Sequence, residues 1–278
     1  MSTLQLLSPA KLNLFLHITG RRDDGYHELQ TVFQLLDHCD TVDLSSSDGG
    51  AISLDCPGLD LAPEENLAWR AARLLQEHTA CKLGASVRIA KRIPAGGGLG
   101  GGSSNAATVL LGLNRLWRLQ LDLDELADLG LRLGADVPVF VRGHSAWAEG
   151  IGENLTALEL PQKYYLVVSP RVAVGTAEVF SHRELTRNTS PITIAAFFEG
   201  GGRNDCQNVV RQLYPEVDKA LIWLENFGQA QLTGTGACVF AAFDEKARAE
   251  ELYRQLPGDW QGFVAAGINR SPVHGALV

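Results

Sequence analysis

The sequence predicts a mixed fold of helices and strands with a domain boundary near Pro161, and three stretches carry that reading. The first is a strand, a glycine-rich loop and a helix in succession. Val87 and Ile89 alternate within Ala85–Ile89, and Gly fills six of the seven positions from Gly96 to Gly102. Ala106, Val109, Leu110, Leu113, Leu116 and Trp117 then recur at helical spacing. The second is strict alternation over Ala10–Ile18. The third is the polar stretch Glu159 to Lys163, with Pro161 inside it, before the strongly apolar Tyr164–Ser169. That stretch marks a boundary between an N-terminal lobe, 1–158, and a C-terminal lobe, 159–278. A chain of 278 residues suffices for one large domain or two of ordinary size.

The glycine run is costly to order, because Gly loses the most backbone entropy on folding. It also lets the backbone take positive φ and approach a ligand with no Cβ in the way. A flexible linker is the plain alternative. Here the run lies tightly between two apolar elements with no polar tail. Ser104 or Asn105 is expected to cap the following helix. Strand, loop and helix start together gather free N–H groups and a positive dipole end around an anion. No Lys-Ser or Lys-Thr follows the last Gly, so this is not a P-loop. A dinucleotide fingerprint can be traced through so many glycines almost automatically, and it lacks an acidic partner on a clean strand end.

Composition bounds the rest. The apolar fraction of 45% and charged fraction of 20% are ordinary for a globular protein. A net charge of −8, with no Lys/Arg run, argues against a nucleic-acid partner but not against an anionic small molecule. Five scattered cysteines with no C-x-x-C spacing make a zinc site or disulfide framework unexpected. No signal-like leader and no membrane-length apolar run is present, so a reduced cytoplasmic setting is the default expectation.

Along the chain, Leu12, Leu14, Leu16 and Ile18 form a core face of the first strand. Lys11, Asn13, Phe15 and His17 form the other face, expected to be solvated, though compatible with a site. Thr19–Gly25 is turn chemistry, followed by a hairpin-like return through Thr31–Phe33. Tyr26 on that turn is either an ordinary half-buried Tyr or a stacking platform. Short strands are expected at Thr41–Leu44 and Ile52–Leu54. Pro63–Asn66 opens a helix whose apolar side reads Leu67, Ala68, Ala71, Leu74, Leu75 and His78. Another helix begins at Asp122 or Asp124 and stops at Gly134. Asp136, a lone carboxylate before Pro138, is either an N-cap or a catalytic group. Strands follow at Ser145–Gly150 and Tyr164–Ser169, then a mobile loop at Gly200–Gly202. Helices follow at Asn204-Asp205 onward, Val217–Phe227 and Lys246–Leu256. Gln231–Ala241 reads as a second Gly-containing turn entering a strand, and Phe263–Ala265 as a last strand.

Ser8–Phe33, Pro94–Ala107 and Leu232–Phe243 together resemble the three motifs of the GHMP small-molecule kinases, the superfamily of homoserine, mevalonate and galactose kinases. In detail, Ser8–Leu14, Gly25-Tyr26-His27, Pro94–Ala107, Gly134–Pro138 and Leu232–Cys238 resemble the family of 4-diphosphocytidyl-2-C-methyl-D-erythritol kinases of the non-mevalonate isoprenoid pathway. The resemblance implies an α+β two-lobe GHMP kinase fold. Its N-terminal lobe would be of ribosomal-protein-S5-like type with a left-handed βαβ crossover, its C-terminal lobe an α/β sandwich. The implied activity is ATP-dependent phosphorylation of the 2-hydroxyl of the cytidine diphosphate methylerythritol substrate. Mg²⁺ would be held mainly through phosphates, with no protein metal site, no nucleic acid, no membrane and no required oligomer.

The same resemblance distributes roles. Asp136 matches the general base and Lys11 the cation beside it. Pro94, Ala95, Gly96, Gly97, Gly98, Leu99, Gly100, Gly101, Gly102, Ser103 and Ser104 match the loop around the ATP phosphates. Asn66 and Lys91 match positions near the adenosine. Tyr26, His27 and Phe180 match residues that hold the cytidine, and Asn13 and Thr176 match other substrate contacts. Ala95 departs from relatives that carry a larger Met there, which bears on the adenine side. Two competing readings are a kinase for another small alcohol and a non-catalytic nucleotide-binding regulator. Tyr26-His27 argues against the first, and the presence of both Lys11 and Asp136 against the second.

Overall fold

In the computed structural model, residues 3–59 and 61–277 are described. The chain begins with two long antiparallel strands, β1 (Thr3–Arg21) and β2 (His27–Ser47). Next come β3 (Ile52–Asp55), α1 (Leu67–Thr79), β4 (Gly84–Ala90), α2 (Gly101–Leu116), α3 (Leu123–Leu131) and α4 (Val137–Arg142). Then follow β5 (Ala146–Gly150), β6 (Asn154–Ala157), β7 (Tyr164–Ser169), α5 (Thr176–Ser181), α6 (Ile194–Phe198), α7 (Gln207–Leu213) and α8 (Pro215–Glu225). The last elements are β8 (Ala230–Leu232), β9 (Val239–Phe243), α9 (Lys246–Tyr253), β10 (Gln261–Ile268) and α10 (Pro272–Ala276).

One sheet runs β3-β4-β2-β10-β7-β9-β8, with β1 on β2 and with β5 joining β2 to β6. β2 is its spine. It pairs with β5 from Leu29 to Phe33 and with β4 from Thr41 to Ser47. Between these, only Leu35 and Leu36 pair with Ile268 and Gly267 of β10. The Gln34 amide reinforces that narrow junction by donating to the Ile268 carbonyl at 2.9 Å. On one side of it, α1 and α2 bury Leu75, Ala106 and Leu110 against Leu44 and Val87. On the other, α7 and α8 bury Val210 and Leu221 against Leu166 and Val239. A third cluster, including Leu12, Leu36, Leu99, Val167 and Phe240, fills the junction itself.

The alternation expected over Ala10–Ile18 is interrupted. Register shifts fall between Pro9 and Lys11, and again between Asn13 and Leu16. Nor is the second face solvated: Lys11, Asn13, Phe15 and His17 are all buried. Later parts of the chain cover it. The Lys11 amide donates to the Leu99 carbonyl, the Leu16 amide to the Arg203 carbonyl, and the Asn13 amide to Thr233 Oγ1.

The cap of α2 is also corrected. Gly100, at φ +70°, is the N-cap, with no side-chain cap bond, whereas Ser104 and Asn105 lie inside the helix and are buried. A left-handed residue is needed there, and Gly supplies it without steric cost. His78 is exposed rather than on the apolar side of α1. The chain leaves that helix at Ala80, in a left-handed conformation, one residue after the last turn. Asn66 caps α1 by accepting from the Ala68 amide, after a short 3₁₀ turn at Pro63–Glu65. Asp122 caps α3, in a capping box with Glu125, and the Gly134 amide closes back on Gly130. Gly200 and Gly201 donate to Phe197 and Ala196, which closes α6. All five cysteines are free, and among the described residues no helix is long and apolar enough to cross a membrane.

Candidate active site

Leu99 explains why the glycine run is ordered. It is the one side chain in the run and is buried with Leu12, Leu36 and Cys238. Gly97 and Gly98, just before it, are held too closely for any larger residue. A Cβ on Gly97 would lie 2.4 Å from Cys238 Sγ, and one on Gly98 would lie 2.2 Å from the Thr233 carbonyl oxygen. Gly98 is at φ +77°. The Cys238 amide donates to the Gly97 carbonyl, and the Thr233 hydroxyl to the Gly98 carbonyl. The β8–β9 turn thus clamps the loop from behind. α2 starts where the loop ends, so the first amides of its opening turn have no intrahelical acceptor. Those amides and the helix dipole make this end attractive to an anion.

A buried polar network fixes the segment that enters the loop. Asp40, fully buried, accepts from the Arg92 and Ile93 amides at 2.7 and 2.9 Å and from Asn105 Nδ2 at 3.0 Å. Lys91 pairs with the same carboxylate and donates to Asn105 Oδ1 at 3.0 Å. Asn105 also donates to Ser8 Oγ, which is bonded in turn to Ser104 Oγ. Ser104 is therefore turned into the protein and lines no cavity of the site, while Asn105 does.

Three adjoining cavities meet at this point. One of about 520 Å³ runs along Pro94–Ser103 and reaches Asn66, Lys91 and Cys56. A central one of about 390 Å³ is lined by Lys11, Asn13, Asp136, Ser103 and Thr235, among others. An outer one of about 590 Å³ is lined by Arg21, Tyr26, His27, Phe180 and Thr176, among others. Thr176 borders all three, and its hydroxyl bonds that of Thr235 at 3.0 Å.

In the central cavity Lys11 Nζ lies 3.1 Å from Asp136 Oδ2, with Lys11 3% and Asp136 34% exposed. Lys11 also donates to Asn13 Oδ1 and sits 5.2 Å from the centre of the Phe33 ring. Asn13 Nδ2 donates to Thr31, whose hydroxyl is anchored on the Phe15 carbonyl. Asp136 stands at the N-cap position of α4, yet its side chain makes no cap bond. It is free to face Lys11 and the cavity. Chemically, a partly exposed carboxylate beside a fixed ammonium can accept a nearby proton while the ammonium stabilises a nearby anion.

In the outer cavity Tyr26 is 59% exposed, not half-buried. The His27 and Phe180 rings lie 5.0 Å apart at 30°. Burial, and then the guanidiniums of Arg187 and Arg21, lower the pKa of His27. Sequence reasoning missed Asp40 and Arg187, which stand in no local pattern that marks them. It gave Thr31 no role and Asn105 only that of a helix cap, although both lie in the motifs singled out. Thr235 lies in the Leu232–Cys238 stretch, which was singled out without a role for that residue.

Residues 66–144 match the GHMP kinases N terminal domain and residues 184–261 the GHMP kinases C terminal domain. A 4-diphosphocytidyl-2-C-methyl-D-erythritol kinase of Pseudomonas fluorescens is 56% identical over 99% of this chain and 97% of its own. The enzyme of that name from Hahella chejuensis is 54% identical over 98% of this chain and 95% of its own. The chain belongs to this family of GHMP kinases. A crystal structure of a 4-(cytidine 5'-diphospho)-2C-methyl-D-erythritol kinase, 32% identical, superposes with a TM-score of 0.81 over 96% of this chain and all of the other. The mevalonate kinase of Methanococcus jannaschii, at 17% identity, shares the fold with a TM-score of 0.68. As a GHMP kinase the chain is an ATP-dependent small-molecule kinase with the two-lobe α and β fold of that family.

Proposed function

We propose that this kinase transfers the γ-phosphoryl group of ATP to the 2-hydroxyl of 4-diphosphocytidyl-2-C-methyl-D-erythritol. The observation that carries the reading is the Lys11–Asp136 pair, 3.1 Å apart, in the cavity between the glycine loop and the Tyr26–His27 turn. Asp136 takes the proton of the acceptor hydroxyl. The freed oxygen pair attacks the γ-phosphorus, and the bond from phosphorus to the bridging oxygen breaks as ADP leaves. Lys11 offsets charge on the reacting oxygen. Asn13 and Thr31 hold Lys11 in that orientation.

ATP fits the glycine loop because any side chain at Gly97, Gly98 or Gly100 would meet protein atoms within about 3 Å, leaving bare backbone facing the cavity. Lys91 and Asn66 border its outer part, on the adenosine side. Among the described residues no three His, Cys, Asp or Glu side chains gather as a metal cage. Ser103, which lines both the loop cavity and the central one, is the hydroxyl at hand for Mg²⁺ held mainly on phosphate oxygens, where it would neutralise phosphate charge. Tyr26, His27 and Phe180 frame the cytidine, and Thr176 borders both substrates. We keep the lobe boundary at 158/159, in the stretch that neither matched segment covers.

A coupled ADP-release assay tests the reading. ADP formation is expected with the cytidine-diphosphate methylerythritol substrate and none with mevalonate. Turnover of mevalonate, or of neither, would refute it.

A further inference from the structure

Arg187 has no part in the scheme above, yet its guanidinium holds the outer cavity together. One Nη donates to the carbonyls of Phe180 and His182, both at 2.8 Å, and the other to the Leu185 carbonyl at 3.1 Å. These bonds hold the Phe180 carbonyl in the last turn of α5, which an isolated helix leaves unpaired, and the carbonyls of the chain just beyond it. Nε reaches across the cleft and donates to Nε2 of His27, at the start of β2, at 3.2 Å. One side chain therefore fixes both rings of the cavity wall, Phe180 through its backbone and His27 through its imidazole.

The chemistry of that last bond has a consequence. A guanidinium has only donors and keeps its proton in proteins. His27 Nε2 must therefore be the acceptor. A neutral imidazole with an accepting Nε2 carries its hydrogen on Nδ1. Nδ1 has no partner among the described residues and is not sealed from solvent. Protonating the ring would place a second cation against Arg187, with Arg21 of β1 also near.

We infer that Arg187 is a positioning residue for base selection: it locks His27 in the tautomer with hydrogen on Nδ1, so that the ring offers a bound base a donor. The base-selection part rests on the cytidine reading above. Cytosine offers N3 as a bare acceptor, whereas uracil carries a hydrogen on N3. A fixed donor at this wall pairs with the first and is left opposed by the second.

Ring-nitrogen NMR of the unliganded wild-type protein tests the tautomer without any variant. Hydrogen on Nδ1 and a bare Nε2 at His27 are expected; hydrogen on Nε2 overturns the inference. Arg187→Met is then assayed with the cytidine substrate and its uridine counterpart. The expected result is a KM for the cytidine substrate raised about tenfold, a similar loss of cytidine-over-uridine preference, and an unchanged KM for ATP. Unchanged base preference, or equal rises in both KM values, overturns it. Should Arg187→Met fail to fold, Arg187→Lys keeps a cation for the α5 carbonyls without the fork, and the same loss of preference is required of it. If the wild-type enzyme phosphorylates neither nucleotide, the proposed function falls together with base selection, while the spectra still decide the tautomer.

Discussion

Gly98 offers a measurable test of how tightly the glycine loop is clamped. In Gly98→Ala the new Cβ would lie 2.2 Å from the Thr233 carbonyl oxygen and 3.3 Å from that of Gly236. Both neighbours are backbone, so neither can swing aside, and the loop and the β8–β9 turn must part by about an ångström to reach ordinary contact. Holding a non-glycine residue at φ +77° costs a further ~1–2 kcal/mol. With ~1–3 kcal/mol for overpacking, the expected loss is about 2–5 kcal/mol. Gly96→Ala is the control. Gly96 is at φ +68° with nothing within 4 Å of the built Cβ, so only the backbone cost applies. For a chain this size, each kcal/mol moves the thermal midpoint by roughly 2–4 °C. Differential scanning calorimetry of the two variants should place Gly98→Ala about 2–12 °C below Gly96→Ala. Turnover in Gly98→Ala should also fall, because Thr233 carries the Asn13 amide beside Lys11. Equal midpoints for the two variants would refute the clamp.

Asp136→Asn should fold and bind ATP normally, since the side chain caps nothing, but lose about 10²–10⁴-fold in kcat; near-normal turnover removes it from the role of base. Lys11→Ala should lower kcat by a similar order, and a change confined to KM would make Lys11 a binding group only. Tyr26→Ala should leave the thermal midpoint nearly unchanged, because the ring is largely exposed, and raise KM for the cytidine substrate by roughly 5–100-fold. An equal rise in KM for ATP would argue against stacking. His17, His38 and His274 all have pKa values lowered by burial. The unfolded chain therefore binds protons at a higher pH than the native state. Their contribution to stability is complete above the unfolded value of about 6.5 and is lost as pH falls through it toward the lowered native values. Melting curves between pH 7.5 and 5.5 should show a falling midpoint; a rising one would contradict the burial of these rings.

Local chemistry made several elements readable. The Asp122 cap, the apolar β7 and the Gly-containing β8–β9 turn all follow from short-range patterns, and the structure keeps them. The α2 cap misled because Ser104 and Asn105 are good capping residues, whereas their hydroxyl and amide are consumed by Ser8 and Asp40, far away in sequence. The face carrying Lys11 and Asn13 looked solvated for the same reason: what buries it arrives from Leu99, Arg203 and Thr233. No spacing rule brings Lys11 to Asp136. Only the resemblance of whole motifs joined them, and the geometry agrees. Arg187 was invisible, because three of its acceptors are backbone carbonyls and the fourth is 160 positions away.

The narrow junction between β2 and β10 bears on how the molecule is made. Gln34 and Ile268 meet across 234 positions of chain. At translation speeds of roughly 5–20 residues per second, the later partner emerges on the order of ten to fifty seconds after the first. Throughout that interval Leu35 and Leu36 lack their β10 neighbours, and Leu36 also lacks Tyr165, Val167 and Phe240. The nascent polypeptide thus presents a sticky unpaired edge at the ribosome exit, the kind of surface on which holding chaperones act.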